Sequence, residues 1–256
     1  MGTALLEGII ASGAVASEDI VVIEPDAERR AMLRLAHDSL VLLDTPELED
    51  IGPETSALIA VKPDVAEGAT RLAGGFGVRR ILSVVAGISA ARLEATLQAP
   101  IPVVRAMPNT PAIVGAGVTV ISGGSHVTKD DLDWAEMLLS SVGTVLRLPE
   151  RHLDAVTGLS GSGPAYVFFL AEALIEAGVT AGLSREVSRT LAVETILGAG
   201  KLLVESGQSP EELRAQVTSP GGTTAAAVRA LEARAVRSAI VEAVMAAVER
   251  SKTLGR

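Results

Sequence analysis

The residues best placed for chemistry lie in "QVTSPGGTTAAAVRAL", Gln216 to Leu231. The pattern predicts a helix ending near Val217 and another beginning near Thr223. Between them, Ser219, Pro220, Gly221 and Gly222 make the turn: Pro220 stiffens it, and the paired glycines permit positive φ. Thr223 and Thr224 add hydroxyls at a helix start, where backbone N–H groups point outward. Such a corner is a compact pocket for a small carboxylate. The plainer alternative is a helix–turn–helix connection with threonine capping. That connection needs one glycine, not a Ser-Pro-Gly-Gly-Thr-Thr run, and we read a functional loop.

A second candidate is a set of strand ends. In an open α/β sheet, ligands bind beyond the carboxyl ends of the strands. Here the ends read Glu24-Pro25, Ala60-Val61-Lys62-Pro63, Val85-Ala86-Gly87-Ile88 and Ala106-Met107-Pro108-Asn109-Thr110-Pro111. Proline and glycine also simply end strands, but small residues at several successive ends make a flat rim on which a cofactor can lie. Lys62 stands where a phosphate or ribose could reach it. Glu24 can hydrogen-bond a ribose, while Arg29 and Arg30 suit a 2′-phosphate or equally a surface ion pair, so cofactor preference stays open.

In "TGLSGSGPAY", Thr157 to Tyr166, small and hydroxyl residues precede Pro164, which opens an apolar helix. A glycine-rich approach to a positive helix terminus is an anion site. Close helix packing through Gly161 and Gly163 explains it equally well.

Several chemistries have no residues to carry them. With no cysteine, a thiolate metal site, a disulfide and a Cys nucleophile are excluded. His37, His126 and His152 share no ligand spacing, and no metal is expected. There is no G-x-S-x-G, H-E-x-x-H or P-loop. What remains suits hydride transfer, where a cofactor makes the bond and the protein positions it. The net charge of -9 argues against nucleic acid and an anionic membrane surface. Without a run of 18 apolar residues or a basic leader, the expectation is a cytoplasmic protein.

The elements behind these residues change character midway. Strands are expected at Ile20–Glu24, Leu40–Leu43, Ser56–Val61, Ile81–Ala86, Val103–Ala106, Val118–Ser122 and Val145–Leu148. Helices are expected at Thr3–Ser12, Asp26–Ala36, Asp64–Ala73, Ser89–Gln98 and Lys129–Ser141, with Thr128 and Asp131 as a capping box. The alternation implies βαβ units on a mostly parallel sheet. A loop is expected through "GGFG". From about Glu150 helical patterns take over: Val167–Ala177, Ser184 to about Glu205, a start at Ser209-Pro210-Glu211-Glu212, and Val236–Ser251. The helix after Ser184 is apolar on more than one face and so is expected to be buried on several sides. Two domains follow, 1–149 and 150–256, and the second is read as sharing its core with another copy rather than as a monomeric bundle.

At these residues the sequence resembles pyrroline-5-carboxylate reductase. The similar stretches are "AVKP" (60–63), "VAGIS" (85–89), "VVRAMPNTPAIVGAG" (103–117), "DAVTGLSGSGPAY" (154–166), "LRAQVTSPGGTT" (213–224) and "AIVEAVMAAVERSKTLG" (239–255). The resemblance implies an α/β, Rossmann-like N-terminal domain followed by an all-α dimerisation domain. It implies hydride transfer from NADPH or NADH to the C=N carbon of 1-pyrroline-5-carboxylate, giving L-proline in a homodimer or larger homo-oligomer. It implies that Ser219, Gly221, Gly222, Thr223 and Thr224 hold the substrate, with the Thr224 hydroxyl at the ring nitrogen as the catalytic group. Gly2, Ala60, Val61, Lys62, Pro63, Ala86, Gly87, Met107 and Asn109 would line the cofactor site. The alternatives are a reductase of another small imine or acid, or a truncated relative with weak or no cofactor binding.

The resemblance further implies a strand and a loop of the form I-G-x-G-x-M-[AG] ahead of the first helix, with Met1-Gly2 matching only its tail. The first strand is thus expected to be missing, leaving two strand edges unpaired at roughly 1–3 kcal/mol per buried group. Two explanations stand: a start placed too far downstream, by about ten residues, or a truncated form.

Overall fold

The structure, a computed structural model, describes residues 1–47 and 51–254. Gly255, which closes the last of the similar stretches, lies outside the described residues. Contacts divide the chain into two units: Met1–Gly161 with Val248 onward, and Ser162–Ala247. The strands stop near residue 149, as the change of pattern suggested, but contacts divide later because residues 150–161 pack with the sheet.

In the first unit, α1 (Gly2–Ser12), β1 (Val21–Ile23), α2 (Ala27–Ala36) and β2 (Val41–Leu43) come first. Next come β3 (Ser56–Ile59), α3 (Ala66–Gly75), β4 (Arg80–Ser83), α4 (Ala90–Glu94) and β5 (Val103–Met107). Then follow β6 (Gly117–Gly123), α5 (Lys129–Leu139), β7 (Gly143–Arg147), the one-turn α6 (Leu153–Val156) and a π-helical turn, Thr157–Gly161. The strands form two sheets: a parallel pair, β1-β2, and a five-stranded sheet in the order β3-β4-β5-β6-β7. In the latter, β3, β4 and β5 run parallel, β6 is antiparallel to β5, and β7 is parallel to β6. Among the described residues β1 pairs only with β2 and β3 only with β4, so each has one edge without a ladder partner.

Alternation along the central strands builds two cores. Leu82, Val104 and Ala106 point to one face, where Leu5 and Ile9 of α1 and Ala135, Leu138 and Leu139 of α5 cover them. Ile81 and Val103 point to the other, against Ala66 of α3 and Ala90 and Leu93 of α4. A parallel sheet buried on both faces reads as continuous Val, Ile and Leu, as it does here.

Caps follow the local chemistry. The Asp26 carboxylate accepts from Glu28 and Arg29 N–H, Ser89 from Arg92 N–H, and Thr128 with Asp131 forms a capping box. Several boundaries differ from expectation, among them the end of β3 at Ile59 rather than Val61 and the start of α7 at Gly163 rather than Val167. β4 stops at Ser83 rather than Ala86, because after Val84 N–H reaches Ile59 O, Val85 N–H turns to the Ser83 hydroxyl. α4 stops at Glu94 rather than Gln98, where Thr96 N–H and hydroxyl both turn back to Leu93 O. α3 runs on through Gly74 and Gly75, which the sequence placed in a loop.

The second unit is helical: α7 (Gly163–Thr180), α8 (Arg185–Glu205), α9 (Pro210–Gln216), α10 (Thr223–Ala233) and most of α11 (Val236–Leu254). Ser184 caps α8, and Ser209 with Glu212 forms the capping box of α9. Within one chain only Ser188 and Ala192 of α8 are buried, and Leu191, Val193, Leu197, Leu202 and Leu203 are exposed, so the burial on several sides expected of α8 does not come from this chain alone. A single chain supplies α7 as the neighbour of α8, packed where Gly178 meets Ser188, and nothing in the unit covers the remaining faces. Residues 150–180 form a helical run long and apolar enough by composition to cross a membrane, yet little of it is buried.

Candidate functional site

The rim comes from register. Ile59 pairs with Ser83, and Ser83 with Arg105, so three parallel strands end at one edge. Ala60 to Pro63, Ala86 with Gly87, and Met107 to Asn109 follow directly, on neighbouring strands about 4.8 Å apart. Val61, Lys62, Pro63 and Ala86 are exposed there. Gly2 joins them: a Cβ on it would stand 3.3 Å from the Ala60 Cβ. The first turn of α1 thus lies beside the end of β3 with no side chain capping it, and its N–H groups suit a phosphate. Lys62, without an ion-pair partner among the described residues, adds an exposed cation. Small residues, open N–H groups and one lysine at a shared edge fit a dinucleotide.

Glu24 follows β1, and its Oε1 accepts from Asp26 N–H at 3.0 Å. Arg30 donates to the carbonyls of Glu24 and Pro25 at 2.6 and 2.8 Å, while Arg29 stays 4.0 Å from the Glu24 carboxylate. A hydrogen bond from Arg29 N–H, helped by one from Glu28 N–H, holds the Asp26 carboxyl below the usual carboxylate range against the opposing effect of desolvation.

Asn109 is buried and internally engaged. Its Oδ1 accepts from Val118 N–H at 2.9 Å and its Nδ2 donates to Ser160 O at 3.2 Å. Met107 lies on Gly161, where a Cβ would come within 2.8 Å of its Cε. The "TGLSGSGPAY" stretch is therefore not an open anion loop. Thr157 to Gly161 coil as a π-helix, with the Thr157 and Ser160 hydroxyls bonded to Leu153 O and Val156 O. Of the two readings, close packing holds at Gly161; a Cβ on Gly163 meets nothing.

In the second unit the Ser219–Thr224 loop has the expected bounds. Gly222 N–H bonds to Ser219 O at 3.1 Å, with Pro220 second and Gly221 third at φ 71°, the pattern of a type II turn. Gly222 is the N-cap of α10, and no side chain caps it. Threonine capping, the plainer alternative, is not what the loop does. The Thr223 and Thr224 N–H groups and hydroxyls have no protein partner among the described residues, so α10 presents a free, positive first turn. Sequence reasoning missed Arg105 and Glu150, which pair beneath the rim; their separation along the chain gave no local signal. Among the described residues no three His, Asp or Glu side chains gather as a metal set.

Comparison with known proteins follows the whole chain. A pyrroline-5-carboxylate reductase of Synechocystis is 43% identical over 257 residues, covering 100% of this chain and 95% of its own. The chain belongs to the pyrroline-5-carboxylate reductase family. A Mycobacterium tuberculosis pyrroline-5-carboxylate reductase is 41% identical, covering 99% of this chain and 93% of its own. The solved pyrroline-5-carboxylate reductase of Coxiella burnetii superposes with a TM-score of 0.91 at 32% identity, covering 100% of this chain and 95% of that one. The Plasmodium falciparum enzyme, solved with NADP bound, gives 0.85 at 30% identity, with the same shares covered. A family model described as pyrroline-5-carboxylate reductase dimerisation matches residues 150–254. The fold is accordingly the Rossmann-like α/β unit and helical unit of this family, and the dimerisation match supports a homo-oligomer.

Proposed function

We propose that this chain reduces 1-pyrroline-5-carboxylate to L-proline, with residues 1–149 holding the cofactor and residues 150–256 the substrate and the partner subunit. The chain is an NAD(P)H-dependent oxidoreductase of proline biosynthesis. Its cofactor supplies the hydride that adds to the C=N carbon. The protein's part is to bind, orient and stabilise. The Thr223 and Thr224 N–H groups, with the Ser219 hydroxyl, receive the substrate carboxylate at the positive end of α10, and Gly222, whose own N–H is held by Ser219 O, lets the carboxylate approach. The Thr224 hydroxyl sits at the ring nitrogen, where it steadies the proton that makes the imine electrophilic. Ala60 to Pro63, Ala86, Gly87 and Met107 bed the cofactor beside the first turn of α1 at Gly2. Asn109 holds the end of β5 in place. A homodimer in the cytoplasm goes with this reading.

The observation that carries the site assignment is the uncapped first turn of α10, a row of N–H groups with no protein acceptor. Purified protein given NADPH or NADH and 1-pyrroline-5-carboxylate should consume the nucleotide and accumulate proline. Nucleotide binding without proline formation would overturn the substrate; no nucleotide binding would overturn the rim.

A further inference from the structure

Residues 150–161 are fastened to the edge of the five-stranded sheet at both ends. At the start, one Glu150 oxygen, Oε1, accepts Ala90 N–H at 2.8 Å and Arg105 Nη1 at 3.0 Å. Ala90 opens α4 immediately after the turn that carries Ala86 and Gly87. Arg105 lies in β5, two residues before Met107 and four before Asn109. At the far end, Asn109 donates to Ser160 O and Met107 rests on Gly161. The bonds close a ring: the turn after β4, Glu150, Arg105, the end of β5, Asn109, and the segment back to Glu150.

The ring sits where burial makes charge matter. Arg105 is only 8% exposed, and Glu150 is the one carboxylate paired with it among the described residues. Arg105 shares its sheet face with Val103, the face covered by α3 and α4. Without Glu150 that guanidinium would stay in the interior unpaired, and Ala90 N–H would lose its acceptor. The relief for both is movement of the two strand-end turns, since the strands beneath are locked by ladder bonds.

We propose that Glu150 and Arg105 are positioning residues for the nicotinamide half of the cofactor, acting through the β4 and β5 turns they tie together. The proposal rests on the rim being the cofactor's bed. The adenylate half falls outside the ring, because neither Glu24 nor Lys62 touches it. A pin that served folding alone would leave the balance between the two halves of the cofactor unchanged.

The test measures equilibrium binding by calorimetry on the full-length oligomer. NADPH and NADH are each compared with the fragment lacking nicotinamide, 2′-phospho-ADP-ribose and ADP-ribose. Glu150→Ala should weaken the whole nucleotides roughly tenfold, the effect of about one charge-assisted hydrogen bond, and leave the fragments within about twofold. Glu150→Gln, which still accepts from Ala90 N–H, should lose less and serves if the alanine variant fails to fold. Equal weakening of nucleotides and fragments, or no weakening, overturns the proposal while the rim stands. Failure of wild type to bind either overturns both, and wild type binding nucleotides no tighter than fragments overturns the proposal alone.

Discussion

A Cβ placed on Gly222 would lie 2.4 Å from the Ser219 Oγ, across the turn that Pro220 and Gly221 make. The serine hydroxyl therefore occupies the space a side chain at 222 would need. Gly222→Ala should push that hydroxyl aside and disturb the carboxylate pocket while leaving the first unit untouched. KM for pyrroline-5-carboxylate should rise about tenfold, the cost of one hydrogen bond to a charged group, with nucleotide affinity unchanged. Gly221→Val, forced to φ near 71°, should act in the same direction and add backbone strain of about 1–2 kcal/mol. Weaker nucleotide binding with an unaltered KM for the imine would put the loop at the wrong site.

The Thr224 hydroxyl has no hydrogen bond within the protein among the described residues, so it is spared for a ligand. Thr224→Ala should change unfolding free energy by no more than about 0.5 kcal/mol. Turnover should fall on the order of tenfold to a hundredfold, at the low end of what a positioned proton donor supplies, because the imine is already reactive once protonated. Thr224→Ser should recover most of the loss. Steady-state kinetics beside chemical denaturation separates the two effects, and unchanged kcat would remove the role.

These residues were legible for a local reason. The Ser219–Thr224 turn, the Ser209–Glu212 capping box and the Asp26, Ser89 and Thr128 caps each lie within a few residues of their partners, so spacing alone exposes them. The rim was legible because parallel strands end together. Glu150 and Arg105 were not, being 45 residues apart with no periodicity joining them. Nor was the engagement of Asn109 with Val118 and Ser160, which depends on β6 returning antiparallel beside β5. The faces of α8 were legible as apolar, and as more than one chain's worth of helix could cover, but not which residues of another copy meet them. Pattern reports what a residue avoids, not which copy of the protein covers it.

That uncovered surface yields a prediction on assembly. Phe169 on α7 is 74% exposed and Val204 on α8 83% exposed, two of many large apolar side chains left exposed along these helices. Phe169→Glu should shift the protein to a smaller species. Light scattering on the eluting peak measures it; a mass equal to that of wild type would clear this face of a role in the interface.

Acid should loosen the caps before the core. Hydrogen bonds from Arg29 N–H hold Asp26 below the ordinary carboxylate range, and bonds from Ser209 do the same for Glu212. A carboxylate whose folded value lies below its unfolded one adds stability that is complete above the unfolded value. It is lost as pH falls through the folded one. Asp26→Ala and Glu212→Ala should therefore melt earlier than wild type at pH 7, with the gap closing between about pH 5 and pH 3. A gap that persists at low pH would mean the charge is not what the caps contribute.

Arg80 and Trp134 fasten α5 to the sheet. The guanidinium stands 4.5 Å from the ring centroid, pairs with the Asp131 carboxylate at 3.4 Å and donates to the Ser56 hydroxyl at 3.1 Å. Side chains of the ion pair are 12% and 8% exposed, so this is an interior pair with a planar cation against an aromatic face. Removing the arginine leaves Asp131 buried with only its capping partner, Thr128. Arg80→Ala should cost about 3 kcal/mol, as loss of one member of a buried pair does. Arg80→Lys should fall between, keeping the charge but not the stacking plane. Trp134 is the single tryptophan, so its emission reports directly on the site. The alanine variant should unfold at lower denaturant with an unchanged slope, and its native emission should shift as the ring loses its cation. An unaltered midpoint would show that the Thr128–Asp131 cap and the leucines beneath α5 hold the helix without Arg80.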